Sequence, residues 1–487
     1  MNDIKAYAVH MGAAKCAVDL GDGSERGEYV NQDYILHKLG RPHRGISLMY
    51  CYYPLDKEFP QRVSEACKDM DVSFAWDYPY DDYFTYKGGL IGDREGEPFN
   101  YMRDVRRHGQ EVVLTLTIDP NVTDDHLIAI AKDLRPFGRM LLRINHEATG
   151  NWFSFTKRVG GDYSKLGDFY CRFHNILKEY APNVKTILCA CEINDNSGKL
   201  VMEEQFLEAF KTTDVWSIDK YFALHWGWPY DVAERNKGGN TPSETSHSRS
   251  KIKDVYDITK RTYKRLTEIN GGVEKPMVMS ELNADGDVTG PYDQAAMVKE
   301  FCDMLKADPD EGWFNAFTMY QFRDRGRLGL EIEDPNYSDC GIEQPLMGVY
   351  KDIIHDDFFK PSMTRGEELQ FPVKLRWGGS EDAEGIEIPL HFDGNPHFCE
   401  VNFDDDSNLM MEINGKWFYK SPKAKTIDLM SAFFEKPLEG AADLTLRIFA
   451  PPASGENDLS LEDGLLNSYS TIEKLPDIRV RFEPVEL

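Results

Sequence analysis

The chain has 487 residues, 41% of them hydrophobic and 29% charged, and is therefore long enough to bury a large core. Its 83 acidic residues outnumber its 56 basic ones, which gives a formal net charge of −27 at pH 7. Because nucleic acids and anionic membranes bind cationic surfaces, this balance argues against either as the main partner.

The N-terminus and the cysteines bear on where the protein resides. No uninterrupted apolar run reaches the roughly 18 residues that a membrane span needs. Residues 1–16 lack the cationic start and apolar stretch of a secretory signal. Nine cysteines, an odd number, are more typical of buried thiols than of a disulfide framework. These features favour a cytoplasmic protein, and a secreted chain whose signal peptide has been removed is the alternative.

Short apolar runs alternate with longer amphipathic segments through most of the chain. A helix predicted over 123–134 opens with Thr123 and two acids, and another over 164–180 carries one apolar stripe. Near-continuous apolar strands are typical of a parallel sheet, so the pattern predicts an α/β fold, a (β/α)₈ TIM barrel. A doubly wound sheet is the alternative, but the usual glycine-rich phosphate loop is absent. The eight predicted strands are 44–52, 72–78, 111–118, 139–146, 185–192, 214–221, 276–282 and 316–322.

The pattern changes after about residue 361. Short, partly alternating runs are separated there by Gly, Asp, Asn and Pro, which is typical of a β-sandwich. We therefore predict a catalytic barrel over 1–361 and an all-β accessory domain over 362–487, which either binds carbohydrate or braces the barrel. Its predicted strands are 371–377, 385–392, 398–403, 408–413, 426–434, 443–450 and 478–487.

Two glutamates stand at the carboxyl ends of predicted barrel strands. In "LLRINHEATGNWF", Arg143, Asn145 and Glu147 share one strand face, and Glu147 ends the run. Glu281 ends "KPMVMSEL" in the same way. Active sites of TIM barrels lie at this end of the strands. Glycosidic cleavage needs one carboxylic acid and one carboxylate, and a separation of about 5–5.5 Å implies a retaining mechanism. Two carboxylates in structural ion pairs are the alternative.

Three stretches resemble one enzyme family. "RINHEATGNWF" resembles the acid/base segment of glycoside hydrolase family 26, the β-mannanase family in a clan of retaining (β/α)₈ enzymes. "DVWSIDKY" resembles the family's sixth strand, and "PMVMSEL" resembles its nucleophile strand, in the same order and at similar spacing. The chain departs from the family at Ala148 and Thr149, where Met-Asn is usual, and in "SELNADGD" after the nucleophile strand.

The resemblance implies a role for several residues. Glu147 would be the acid/base and Glu281 the nucleophile. His146 would contact the sugar at the cleavage site, Tyr221 would place a hydroxyl near the nucleophile, and Trp152 would stack on a sugar ring. Core packing is the alternative for Trp152, since most aromatic residues are structural.

Further candidates lie beside these positions. We assign Arg143 to substrate binding together with His146. Trp226, in "HWGWPY", either forms a sugar platform or packs within its loop. Gln321 and Arg323, in "YQFRDRGRLGLE", either contact sugar hydroxyls or close a salt-bridge network.

The function that these observations predict is a retaining glycoside hydrolase acting on β-mannan or manno-oligosaccharides. No metal and no cofactor is expected, because two carboxylates carry the chemistry. The partner is an oligo- or polysaccharide, and the oligomeric state is open. One alternative is a clan relative that cleaves another β-glycan, and another is a non-catalytic carbohydrate-binding protein. A metal-dependent hydrolase would need His and Asp ligands at several strand ends, where only His146 is evident.

Overall fold

Eight parallel strands form a closed barrel in the computed structural model. The prediction of a (β/α)₈ TIM barrel is confirmed. In order around the barrel, the strands are Ala17–Gly21, Gly45–Tyr52, Glu111–Ile118, Met140–Ile144, Val184–Cys189, Val215–Tyr221, Met277–Asn283 and Ala316–Met319. The structure describes residues 5–21, 29–56, 84–149, 163–224, 248–249, 251–310, 312–324, 326–378, 382–460 and 468–483.

The first barrel strand differs from the prediction. Ala17–Gly21 pairs with the second and eighth strands and closes the ring. Its apolar pattern is too weak to predict a strand, because it has five residues, contains Asp19 and ends at a glycine. The predicted strand 72–78 lies outside the described residues. Glu147 follows the fourth strand, and Glu281 lies two residues before the end of the seventh.

Helices cover the outside of the barrel. The predicted helix over 164–180 is confirmed, and its buried residues form the expected apolar stripe. The predicted helix after Thr123 is confirmed as well, with Thr123 in an extended conformation at the N-cap. Among the described residues, no helix combines the length and apolar character needed to cross a membrane. The α-helices are Gln32–Leu39, Phe99–Arg107, Asp124–Leu134, Ser164–Tyr180, Glu203–Thr212, Ile252–Ile269, Gly286–Thr289, Pro291–Ala307, Pro345–His355 and Ser431–Glu435, and Arg135–Phe137 is a 3₁₀ turn.

The interior of the barrel changes from apolar to polar along the strands. Near the strand starts, small aliphatic side chains form a buried layer of their own. One strand step further on, buried Arg143 pairs in register with Thr115, and polar side chains lead from there to the carboxyl ends. The layer therefore closes the barrel beneath a polar mouth. It consists of Ala17, Val113, Ile187, Val215, Val278 and Ala316.

Antiparallel sheets built mainly from residues after 361 enclose a second apolar core. The largest sheet has six strands, in the order Ser362–Glu368, Tyr7–Gly12, Gly385–Phe392, Ala442–Phe449, Leu409–Ile413 and Lys416–Lys420. Two smaller sheets complete this β domain: Thr426–Asp428 with Phe398–Asn402 and Asp477–Arg481, and Val373–Trp377 with Ser468–Ile472. Short strands elsewhere are Arg323–Asp324, Glu331–Glu333 and Gly341–Glu343, and Ala223–Leu224 with Ser248–Arg249.

Two details of the β domain correct the sequence analysis. Strand Tyr7–Gly12, which was assigned to the barrel over 1–361, pairs instead with Ser362–Glu368 and Gly385–Phe392. The apolar run 426–434 is a short strand followed by the helix Ser431–Glu435, since such runs do not distinguish strand from helix. Otherwise, the division at residue 361 stays a prediction.

An apolar cluster joins the barrel to the β domain. Gly109, at the end of a barrel helix, has a φ of 72°, and a Cβ there would lie 2.8 Å from the Trp377 ring. A glycine is thus required both for this turn and for the close approach of the ring. The cluster contains Leu36 of the barrel with Val9, Trp377, Met410, Trp417 and Phe449 of the β domain.

Candidate active site

Glu147 lies in a tight turn formed by residues 145–149, directly after the fourth barrel strand. Asn145 and Glu147 both have left-handed backbones, with φ of 49° and 46°. This conformation costs a residue with a side chain about 1–2 kcal/mol, so the surrounding contacts must impose it. The turn carries Glu147 out of the strand direction and over the barrel mouth.

Glu281 is held at both carboxylate oxygens. It is 7% exposed, near the carboxyl end of the seventh strand. The Arg143 guanidinium donates a hydrogen bond of 2.8 Å to Oε1, and the Tyr221 hydroxyl donates one of 2.5 Å to Oε2. Burial, and to a smaller extent the charge of Glu281, raises the pKa of Tyr221 well above 10, so the hydroxyl keeps the proton that it donates. Glu281 is therefore fixed in orientation, with Tyr221 placed as expected.

Asp219 is a third carboxylate at this point, which the sequence analysis did not include. It lies two residues before Tyr221 on the same strand face and forms an ion pair with Arg143. Burial raises the pKa of Asp219 well above its usual value, Arg143 opposes that rise, and Glu281 and Glu147 add to it. The spacing of "DVWSIDKY" already placed Asp219 beside Tyr221, so the sequence carried a signal for it.

The three acids form one group, called here the carboxylate cluster: Glu147, Asp219 and Glu281. One oxygen of each lies within 4.8 Å of one oxygen of the others. Burial by itself would lower the pKa of Arg143, but Asp219 and Glu281 raise it well above its usual value, so the guanidinium stays charged. Arg143 is therefore the fixed cation that Asp219 and Glu281 share.

A metal is a poor fit to the carboxylate cluster. The described residues bring these three acids within metal-binding distance of one another. Arg143, however, is 1% exposed and already contacts two of them as a fixed cation. A metal at the same oxygens would face the charge of Arg143 at close range.

His146 lies beside the cluster as a neutral ring. Burial, and to a smaller extent the charge of Arg143, lowers the pKa of His146 well below 6.5. Its Nδ1 lies 3.2 Å from the Thr117 hydroxyl, on the third barrel strand. His146 is 6% exposed, so little of its surface faces solvent. Its predicted contact with the sugar stays a prediction.

Three other predicted substrate-binding residues contact protein groups, and their predicted contacts with sugar stay predictions. Arg143 contacts Glu281 and Asp219. The amide of Gln321 lies 3.3 Å from Asp324. The guanidinium of Arg323 lies 3.6 Å from Glu333 and 5.9 Å from the centre of the Tyr29 ring.

Two candidates, Trp152 and Trp226, lie outside the described residues. Cys189 and Cys191 are described as free thiols, and burial raises the pKa of both. Cys189 is buried and Cys191 is half-buried.

The comparisons with known proteins give remote likenesses. No protein-family model matches the chain, and no curated protein matches it. A family 51 α-L-arabinofuranosidase from Bifidobacterium longum is 10% identical with a TM-score of 0.43, covering 92% of this chain and 100% of its own. A modular endo-β-1,4-mannanase from Cellulomonas fimi, of glycoside hydrolase family 26, is 11% identical with a TM-score of 0.41, covering 94% and 93%. A family 39 glycoside hydrolase from Bacteroides cellulosilyticus is 12% identical with a TM-score of 0.39, covering 89% and 80%. Similarity at this level does not assign the chain to any one family.

Proposed function

We propose that the protein is a retaining glycoside hydrolase that cleaves β-mannan or manno-oligosaccharides by double displacement. The observation that carries this proposal is the approach of Glu147 to Glu281 within 4.8 Å at the mouth of the barrel. Retaining enzymes hold their two carboxyl groups about 5–5.5 Å apart, whereas inverting enzymes leave about 6.5–9.5 Å for a water molecule. The choice of mannan is supported by the resemblance of residues 143–153, 214–221 and 276–282 to the β-mannanase family.

In the first step, an oxygen of Glu281 attacks the anomeric carbon while the bond to the leaving oxygen breaks. The leaving oxygen takes the proton of Glu147, so the aglycone departs as an alcohol and the sugar stays esterified to Glu281. Arg143 and Tyr221 keep Glu281 aimed during this attack. Asp219 shares the Arg143 guanidinium with Glu281 and so helps to hold that guanidinium in place.

In the second step, a water molecule attacks the same carbon and gives its proton to the ionised Glu147. The ester bond breaks, and Glu281 is regenerated as a carboxylate. Esterification removes the negative charge of Glu281, so it also removes one cause of a raised pKa in a neighbouring acid. Glu147 can therefore serve as an acid in one step and as a base in the next.

The test is hydrolysis of soluble β-mannan, glucomannan, β-xylan and β-glucan, with product masses and the configuration of the first product measured. We expect mannan to be cut with retention, and Glu281→Gln to lose at least about a thousandfold in kcat/KM. Azide should rescue hydrolysis of a dinitrophenyl β-mannobioside by Glu147→Ala, because this leaving group departs without a proton and the small anion then replaces water without needing a base. Inversion of configuration, or full activity of Glu281→Gln, would contradict the proposal.

Glu203→Gln is the matched control. Glu203 is also 7% exposed and also paired with an arginine, Arg265, but it begins a helix outside the barrel. The variant should keep its turnover. If Glu203→Gln and Glu281→Gln lose activity equally, the loss reflects a buried ion pair and not a nucleophile.

A further inference from the structure

The turn that carries Glu147 is attached to both neighbouring barrel strands. On one side, the Asn145 N–H donates to Leu116 at 3.1 Å, and the side-chain oxygen of Asn145 accepts from the Ile118 N–H at 2.7 Å. The second bond is made by a side chain at the point where the turn leaves the sheet. Asn145 is 4% exposed, so the amide is shielded from water.

On the other side, the turn is attached to the last residue of the fifth strand and to the residue after it. The Ala148 N–H donates to the Cys189 carbonyl at 3.3 Å, and the Thr149 hydroxyl donates to the Ala190 carbonyl at 2.6 Å. Glu147 lies between these two attachments with a left-handed φ of 46°. Neither attachment uses the carboxylate of Glu147.

We propose that the Asn145 and Thr149 side chains are positioning residues that brace the turn and aim the proton of Glu147 at the leaving oxygen. This inference rests on the proposed hydrolysis. A left-handed backbone at Glu147 persists only if contacts around it impose that conformation. The two side chains supply such contacts, one to each neighbouring strand.

The choice of leaving group in the substrate distinguishes a misplaced Glu147 from a general loss of stability. Cleavage of mannotetraose expels a shorter sugar as an alkoxide, which needs the proton of Glu147, whereas 2,4-dinitrophenolate leaves without one. A misaimed acid should therefore slow the first substrate and spare a dinitrophenyl β-mannobioside. Since kcat/KM reports the steps up to the first bond cleavage, it is the quantity to compare.

Asn145→Gly keeps the freedom for a positive φ but removes the acceptor, and Thr149→Val removes only the hydroxyl. We expect each to lower kcat/KM on mannotetraose by about a hundredfold, the typical effect of misplacement by 1 Å, with the dinitrophenyl substrate hydrolysed at close to the normal rate. Thr149→Ser restores the hydroxyl and should restore activity. Glu147→Ala lacks the acid altogether and is the reference for the largest difference in kcat/KM between the two substrates.

Asn414→Ala is the matched control. Asn414 also has a left-handed φ, of 54°, and its amide donates to the Ala432 carbonyl at 3.0 Å, far along the chain in the β domain. This variant should lose thermal stability without a change in leaving-group preference. Thermal unfolding of every variant identifies any that fails to fold. If one fails, the proposal is tested with Thr149→Val, which is the mildest change.

The outcomes separate the two proposals. A wild-type chain that hydrolyses neither substrate overturns the proposed function, and the bracing role with it. If hydrolysis by the wild-type chain depends on Glu147, but Asn145→Gly and Thr149→Val keep the wild-type leaving-group preference, the bracing role alone is overturned. Equal losses on both substrates also overturn it, since they indicate general damage.

Discussion

At the scale of single residues, Arg143 organises the charge of the site. Its guanidinium contacts Asp219 and Glu281 together and is 1% exposed. A buried cation of this kind is costly unless its partners are fixed, and removing one partner would leave the other charges unbalanced. Arg143 and Asp219 therefore depend on each other, and the pair sets the charge that Glu281 experiences.

His43 predicts an acid limit to stability. It is 5% exposed, its Nε2 lies 2.8 Å from the Tyr350 hydroxyl, and burial, followed by Arg41, lowers its pKa to about 3. Below about pH 6.5 the unfolded chain takes up a proton that the folded chain refuses, so stability falls as the pH falls. Between pH 7 and pH 5 this histidine should cost about 2 kcal/mol of the free energy of unfolding.

The measurement is urea unfolding at both pH values for the wild type and His43→Gln, which does not titrate. The variant should lose about 2 kcal/mol less than the wild type over this interval. His391→Gln is the control, because His391 is exposed and its pKa is raised by Asp443, which gives an effect of the opposite sign. Parallel pH dependence in the wild type and His43→Gln would contradict the prediction.

At the scale of elements, strand Tyr7–Gly12 is a central part of the largest sheet. Val9 on this strand is fully buried against the cluster that includes Trp377 and Phe449. Val9→Asp would place an unpaired charge there and should lower the free energy of unfolding by at least about 3 kcal/mol. Chemical unfolding measures this loss.

The control on the same stretch is Lys5→Ala. Lys5 lies on the surface, where it pairs with Glu368 at 2.8 Å. Surface ion pairs contribute little, so the midpoint of unfolding should hardly move. A Val9→Asp variant as stable as Lys5→Ala would show that the sheet does not need this strand.

Periodicity predicted the barrel, the sandwich-like strands and both glutamates, because strand ends are visible wherever an apolar run stops. It failed where the local signal was weak. Ala17–Gly21 contains Asp19, whose charge is balanced inside the barrel by Arg44, a partner that no local pattern reveals. Asp219 was likewise missed, since its importance comes from Arg143 on another strand. Long-range pairs of this kind appear only when the strands have been brought together.

At the scale of the whole molecule, polar contacts reinforce the apolar cluster between the barrel and the β domain. The Arg103 side chain bonds to Glu456 at 3.2 Å, and the Asn408 amide donates to the Arg107 carbonyl at 2.9 Å. The His108 and Tyr419 rings pack with centres 3.9 Å apart. Strand Tyr7–Gly12 also belongs to the β domain, so the barrel contacts that domain at several points.

We therefore expect the full chain to unfold in one calorimetric transition, with equal calorimetric and van't Hoff enthalpies. A chain truncated after residue 361 should not unfold cooperatively, because strand Tyr7–Gly12 would lose its neighbours and Leu36 its apolar cover. Scanning calorimetry with circular dichroism tests both statements. Two separate transitions, together with a truncated chain that melts cooperatively, would show that the barrel is an independent unit.

The pairing of Tyr7–Gly12 with Ser362–Glu368 also has a consequence for biosynthesis. Translation proceeds at about 5–20 residues per second, so this strand leaves the ribosome roughly 20–70 s before its sheet neighbours exist. Throughout that interval, a strand destined for a buried position has open edges on both sides while the barrel grows behind it. The nascent strand thus depends on segments translated much later to cover its edges, and a chaperone that holds this strand during elongation would serve this need.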